Sequence, residues 1–313
     1  MDKKGRTMVL FVFMSLAFLN LPARAENGET PGQKLPVEKR AAAKAKPAKS
    51  GFGIGLRLSG GLNFFDGGDI NDTKSNVTLN EYLAGQVGVP YTIDENDLNR
   101  AFEGGADLLF YFGKRFGVSL GASYLNGKSE NRIIIDLLVS PPADYTITFN
   151  PAVSAIPVTL GLFFTPPLGR RLNLLAEIGG GWTFAQLAID QAFIGSLGSM
   201  QFNAEGKAGG PCIYARLGLE VAIARNFFFF VEVLGRYAKI SGFEGSYEVF
   251  HNDTIFSSGS GRFYTFDRDV SGHSIRFIDF TDEPPSGSPV SNVSETQIDF
   301  SGVSAHGGFR IRF

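Results

Sequence analysis

Five acids and five arginines recur between apolar or glycine neighbours: Glu103, Asp107, Glu177, Glu220 and Glu232 against Arg57, Arg216, Arg236, Arg310 and Arg312. In an extended chain successive side chains point to opposite faces, so each charge looks away from the medium its neighbours occupy. Two kinds of chemistry follow. Equal numbers of opposite charges turned to one interior would pair and fill it, whereas rings of charge along an open path would select ions. The even count favours pairing, and a narrow channel is the alternative.

Covalent catalysis would need a nucleophile within reach of a histidine or carboxylate. The chain has three histidines: His251 and His273 in one polar stretch, near Asp253 and Ser274, and His306 close to the C-terminus. None stands in a recognisable catalytic spacing, so no enzyme is expected; lipid modification or proteolysis is the second alternative. Cys212 is the only cysteine, which excludes an intramolecular disulfide and reads as a packing residue. Acids crowd 66–100 (Asp66, Asp69, Asp72, Glu81, Asp94, Glu95 and Asp97 against Lys74 and Arg100) and 243–295, where nine face Arg262, Arg268 and Arg276. The run Asp66-Gly-Gly-Asp69-Ile-Asn71-Asp72 lacks the spacing of a calcium loop. It reads as a solvated face, with no metal and no cofactor.

The elements that must position the charges are strands. Two-residue alternation marks 51–65, 101–112, 116–125, 155–165, 172–185, 212–224, 227–242 and 296–313. In the last, Ile298 and Phe300 are even while Phe309, Ile311 and Phe313 are odd, so a bulge near Gly302 is expected. Short links at 113–115, 166–171 and 225–226 alternate with long ones at 66–100, 126–154, 186–211 and 243–295. About ten alternating residues per strand, apolar outward and charged inward, predict an all-β fold: a closed antiparallel transmembrane β-barrel of eight strands with long extracellular loops. A soluble barrel would turn its apolar face inward. The runner-up has ten strands, because 262–266 and 275–280 form a hairpin pattern around Val270-Ser271-Gly272. Lys239 falls on the oil-facing parity at the outer rim, placed to snorkel to a lipid phosphate.

Aromatic residues collect at both ends of these strands, as at two membrane interfaces. Phe112, Phe116, Phe164, Phe229 and Phe313 adjoin the short links; Phe64, Phe102, Tyr124, Trp182, Phe184 and Tyr237 adjoin the long ones. No apolar run after the N-terminus is long enough for a spanning helix. Lys3, Lys4 and Arg6 before the apolar run 8–19, with Ala23-Arg24-Ala25 following, predict a signal peptide over 1–25. Residues 26–50 hold six basic residues against three acids without periodicity, which predicts a disordered basic tether.

The closing V-S-A-H-G-G-F-R-I-R-F, with Phe309, Ile311 and Phe313, resembles the assembly signal of Gram-negative outer-membrane barrels. Over 51–313 the pattern resembles the eight-stranded outer-membrane β-barrel families, the OmpX-, OmpW- and OmpA-barrel-like proteins. Its most specific pieces are Ala155–Phe164 with the 166–171 turn, the stretch V-E-V-L-G-R-Y-A-K-I-S-G-F-E-G at 231–245, and the final Phe. The resemblance implies a Gram-negative outer membrane with the N-terminal segment and C-terminus periplasmic. It implies the barrel-assembly machinery as partner of the C-terminal strand, and contact with outer-membrane lipid and lipopolysaccharide. An envelope-structural or surface-interaction role follows, through an extracellular partner at the loops and without nucleic acid. The families share a scaffold, not an activity.

Overall fold

A computed structural model describes residues 52–313, apart from 74–79, 82–83, 87, 138–142 and 196–197. The expected signal peptide and tether lie outside the described residues. The chain runs β1 (Phe52–Phe65), α1 (Asp69–Asp72), β2 (Tyr91–Asp94), β3 (Arg100–Phe112), β4 (Phe116–Lys128), β5 (Asn131–Leu137), β6 (Ala143–Phe164), β7 (Leu172–Gly195) and β8 (Gly198–Ala224). It continues through β9 (Phe227–Tyr237), β10 (Lys239–Ser241), β11 (Glu244–His251), β12 (Thr254–Val270), β13 (His273–Thr281), β14 (Val290–Glu295), β15 (Gln297–Asp299) and β16 (Gly302–Arg312).

Pairing is antiparallel throughout, and β1, β3, β4, β6, β7, β8, β9 and β16 pair in succession, with β16 returning to β1. Along this ring the burial rule of soluble proteins is inverted. Leu58, Leu120, Leu160, Ile178, Ile213 and Val231 are exposed, while Arg57, Glu103, Asp107, Glu177, Glu220 and Glu232 are buried. The charged residues in apolar runs therefore all turn to one side of the sheet.

The expected long loops at 126–154 and 186–211 are instead mostly strand. β6, β7 and β8 are 22, 24 and 27 residues long, and beyond the ring they carry β2, β5, β11, β12, β13 and β14 as a continuing sheet. Alternation persists there, with its chemistry exchanged between faces. On the inward side Ile147, Phe149, Val153, Leu187, Ile189 and Ala204 are buried, whereas Asp190 is exposed and Thr148, Asn150 and Asn203 keep partial access to solvent. Polar residues on the outward side are what made these segments look like loops. The β12–β13 hairpin forms, from Arg262–Thr281 to Val270–His273, but it joins the outer sheet and not the ring.

The bulge expected near Gly302 is not there. β15 pairs with β10 in a small separate sheet, the ladder then breaks, and β16 runs in unbroken register from Gly302. Ile298 and Phe300 share the inward parity of Ser304, His306 and Arg310; the inward face is apolar above and polar below, so no change of phase is needed. Both belong to a cluster with Phe65, Leu125, Phe243 and Phe263 that caps the ring interior.

The segment after β1 completes that cap. Gly67 and Gly68 take positive φ of 79° and 61°, where a side chain would collide with the carbonyls of Leu98 and Gln297. This turn drives Ile70 into the cluster, 1% exposed. Asn71 fixes it by accepting from Leu98 N (2.7 Å) and donating to the Asp66 carbonyl. Asp69 accepts from Gln297 N (2.8 Å) and pairs with Arg276 (3.1 Å), so one acid of the expected solvated face is structural.

Truncating a fully buried Phe costs about 3–5 kcal/mol. Phe300→Ala, which removes a ring stacked 5.9 Å from Phe65, is expected to lose that much in urea unfolding followed by the fluorescence of Trp182, the single tryptophan.

Candidate functional site

Arg57 is the centre of the ring interior. From β1 its Nε donates to Asp107 of β3 (2.8 Å) and its Nη1 lies 2.7 Å from Glu177 of β7 and 3.9 Å from Glu232 of β9. Arg216 of β8 approaches the same acids, at 3.2 Å from Asp107, 3.8 Å from Glu177 and 3.9 Å from Glu232. Register explains the meeting: Arg57 stands opposite Asp107, and Glu177 opposite Arg216.

Two further groups flank this centre. Above it, Glu103 pairs with Arg236 and accepts from Asn63 (2.9 Å), Ser123 (2.8 Å) and Ser304 (3.2 Å). His306 bridges, with Nε2 3.6 Å from Glu103 and Nδ1 3.6 Å from Glu232. Below it, Glu220 pairs with Arg310 and accepts from Asn173 (2.8 Å), and the Arg310 guanidinium lies over the Phe228 ring at 4.6 Å.

Glycine makes room for these side chains. A Cβ at Gly121 would lie 2.0 Å from Asp107 Oδ1, and one at Gly161 would lie 2.3 Å from the Tyr214 hydroxyl. That hydroxyl donates to Glu177 (2.6 Å), as does Ser119 Oγ (2.7 Å). Removing charge from water costs several kcal/mol per ion, offset only by close pairing and full hydrogen bonding. Five carboxylates meet four guanidiniums here, and His306 stands between two of the carboxylates.

Arg312 corrects the expected list. It shares the parity of Arg310 but sits at the rim, donating to the Gly113 (2.8 Å) and Lys114 (3.3 Å) carbonyls with its guanidinium 4.1 Å from the centre of the Tyr111 ring. It therefore clamps a turn and pairs with no acid of the interior. Reading only charges missed Asn63, Ser119, Ser123, Tyr214, Ser304 and the bridging role of His306; all lie on the inward parity, which was the signal available.

The interior is filled and closed at both ends. Its paired side chains are at most 9% exposed, and a cavity of about 10 Å³ beside Ser59, Glu103, Asp107, Tyr214, Arg216 and His306 takes one water at most. Leu109, Tyr111 and Phe163 close the end near the short links, and the Phe300 cluster closes the other.

Elsewhere the candidates separate. His251 and His273 occupy the ends of two different hairpins. Cys212 is buried and reduced within the apolar cluster. Among the described residues no group of three His, Cys, Asp or Glu is placed to hold a metal. Lys239 pairs with Asp299 at 3.3 Å. On the outward face Phe112, Trp182, Phe229 and Tyr237 are exposed, and Phe164 stacks on Phe116 at 4.4 Å. Phe309 stacks on Phe227 at 5.3 Å, Ile311 pairs with Leu56 and Phe227, and Phe313 N donates to the Ile54 carbonyl (2.8 Å).

No protein-family model matches the chain, and no curated protein matches it. Solved structures similar to it include the outer membrane protein OprG from Pseudomonas aeruginosa, 13% identical over 83% of this chain and 96% of that one, with a TM-score of 0.35. Ail, the attachment invasion locus protein of Yersinia pestis, solved with the heparin analogue sucrose octasulfate, is 10% identical over 84% and 97%, TM-score 0.29. The outer membrane protease OmpT from Escherichia coli is 8% identical over 84% and 95%, TM-score 0.32. OprG and OmpT are named as outer membrane proteins. At such identities and TM-scores no role, ligand or mechanism passes from them to this chain.

Removing one member of a buried ion cluster costs about 3–5 kcal/mol. Arg57→Met is expected to lose that much stability in urea unfolding. Combined with Glu177→Gln it should lose less than the two single changes together, by about 0.5–3 kcal/mol; strict additivity would mean the two groups do not interact.

Proposed function

We propose that this chain is an integral protein of a Gram-negative outer membrane, anchored by a closed eight-stranded barrel, whose work is done by the outer sheet at the cell surface. The observation that carries the reading is the continuous exposed apolar face around the ring, set against a charged interior. Strands rise about 3.3 Å per residue, and tilted as in known barrels the stretch from Phe52 to Phe64 spans roughly 30 Å, enough for the hydrocarbon layer. The short links and both ends of the described chain then face the periplasm, and β16, held between β9 and β1, closes the cylinder.

The channel alternative is less well supported, because closely packed ion pairs occupy the interior and apolar clusters lie above and below it. The enzymatic alternative gains no support from His251 and His273, which stand at the ends of two different hairpins among the described residues. What the outer sheet offers is surface: a polar outward face that includes Asn150, Asp190 and Asn203, and an apolar tip where Ile255 and Phe256 are 57% and 76% exposed. The tip is the contact point proposed for an extracellular partner.

Topology is tested by cysteine labelling in a Cys212→Ser background. Phe256→Cys should react with a membrane-impermeant maleimide on intact cells, and Lys114→Cys only after the outer membrane is opened; the reverse order would sink the orientation. Leu120→Arg, in the middle of the apolar band, is expected to cost about 2–4 kcal/mol in vesicles, whereas Asn203→Arg on the outer sheet should stay within about 0.5 kcal/mol. In planar bilayers the purified protein is expected to give no stepwise conductance.

A further inference from the structure

The three short links carry Lys114 and Arg115, Arg170 and Arg171, and Arg225, and no acid. All five side chains are exposed, and none makes an ion pair with a described residue. Near the other rim of the ring the lysines are differently placed: Lys128 pairs with Glu130 (3.0 Å), Lys207 with Glu205 (3.5 Å) and Lys239 with Asp299 (3.3 Å). Those three lysines are neutralised within the chain, while the cations of the short links are left for something else.

Their surroundings indicate what that is. Immediately beside the links stand the exposed rings of Phe52, Phe112 and Phe116, the first two 6.1 Å apart, and Leu168 projects from the 166–171 link, 57% exposed. The links join β3 to β4, β6 to β7 and β8 to β9, so the positive charge is spread around most of the ring. Among the described residues no acidic side chain is exposed at this end; Glu177, Glu220 and Glu232 all turn inward. An aromatic belt with unpaired cations directly below it matches the order of chemical groups in a lipid leaflet, acyl chain first and then phosphate.

We propose that Lys114, Arg115, Arg170, Arg171 and Arg225 form an annular site for the headgroups of anionic phospholipids in the leaflet at the short-link end. This rests on the membrane-spanning reading above. It adds to that reading a lipid preference located at one rim, with lipid phosphate completing the charge balance that the chain leaves open there.

The test uses the mature chain reconstituted in phosphatidylcholine vesicles containing trace spin-labelled phosphatidylglycerol or phosphatidylcholine. Electron paramagnetic resonance gives the association of each lipid with the protein. One basic contact per headgroup predicts about 5-fold preference for phosphatidylglycerol, lost in 1 M NaCl through screening. Changing all five residues to Gln should bring the preference to about 1-fold while the total motionally restricted lipid is unchanged. Arg100→Gln with Lys128→Gln, at the opposite rim, should leave the preference intact. Equal association of the two lipids with the unaltered protein overturns the proposal, as does undiminished preference in the five-residue variant. Absence of restricted lipid of either kind would instead overturn the membrane-spanning reading.

Discussion

Neutralising charge away from water is the constraint on which this structure depends. A sheet whose outer face is apolar gains nothing by closing unless its inner face is also satisfied, and here that face carries carboxylates and guanidiniums. Arg57 answers three acids delivered by three different strands. Because those strands are distant in sequence, the ion cluster is complete only when the ring is. Local contacts alone could not make it, so the cluster ties the register of each hairpin to that of the others.

The same strands solve two solvation problems in succession. Within the ring they are apolar outside and polar inside; in the outer sheet the faces exchange, and Leu187 and Ile189 of β7 lie buried a few residues beyond exposed Trp182 and Phe184. The exchange occurs without a break in the β7–β8 ladder, which keeps one register from Leu172–Val221 to Gly195–Gly198. A change in side-chain chemistry does what a hinge or bulge would otherwise do. The Phe300 cluster, at the level of the exchange, is both the floor of the outer sheet and the lid of the ion network.

What was legible in the sequence follows from this. Ring strands could be read because long outward apolar series such as Leu56, Leu58, Leu62 and Phe64 are rare outside membranes, and charges such as Asp107 stand out within them. The outer extensions were obscured because Thr148, Asn150 and Asn203, read alone, look like loop residues; their inward partners Ile147, Phe149 and Ala204 carried the same alternation in opposite phase. Ile298 and Phe300 suggested a bulge for a related reason, since an apolar residue on the inward parity looks like an error until the cap is known. Arg312 had the right parity and the wrong depth, which sequence spacing does not encode. His306 could be placed inside the strand, but its position between Glu103 and Glu232 depends on β3 and β9, which no local pattern reveals.

The uninterrupted β7–β8 ladder also has a mechanical consequence. A load applied along the strand axes at the Gly195–Gly198 end of this ladder would act on many interstrand hydrogen bonds at once, in shear, because the register is unbroken from that end to the ring. Stretching would be resisted collectively, and little tension would be dissipated before it reached the ring. A surface built in this way would transmit pull as a stiff mast does, holding its outermost residues at a fixed distance from the ring.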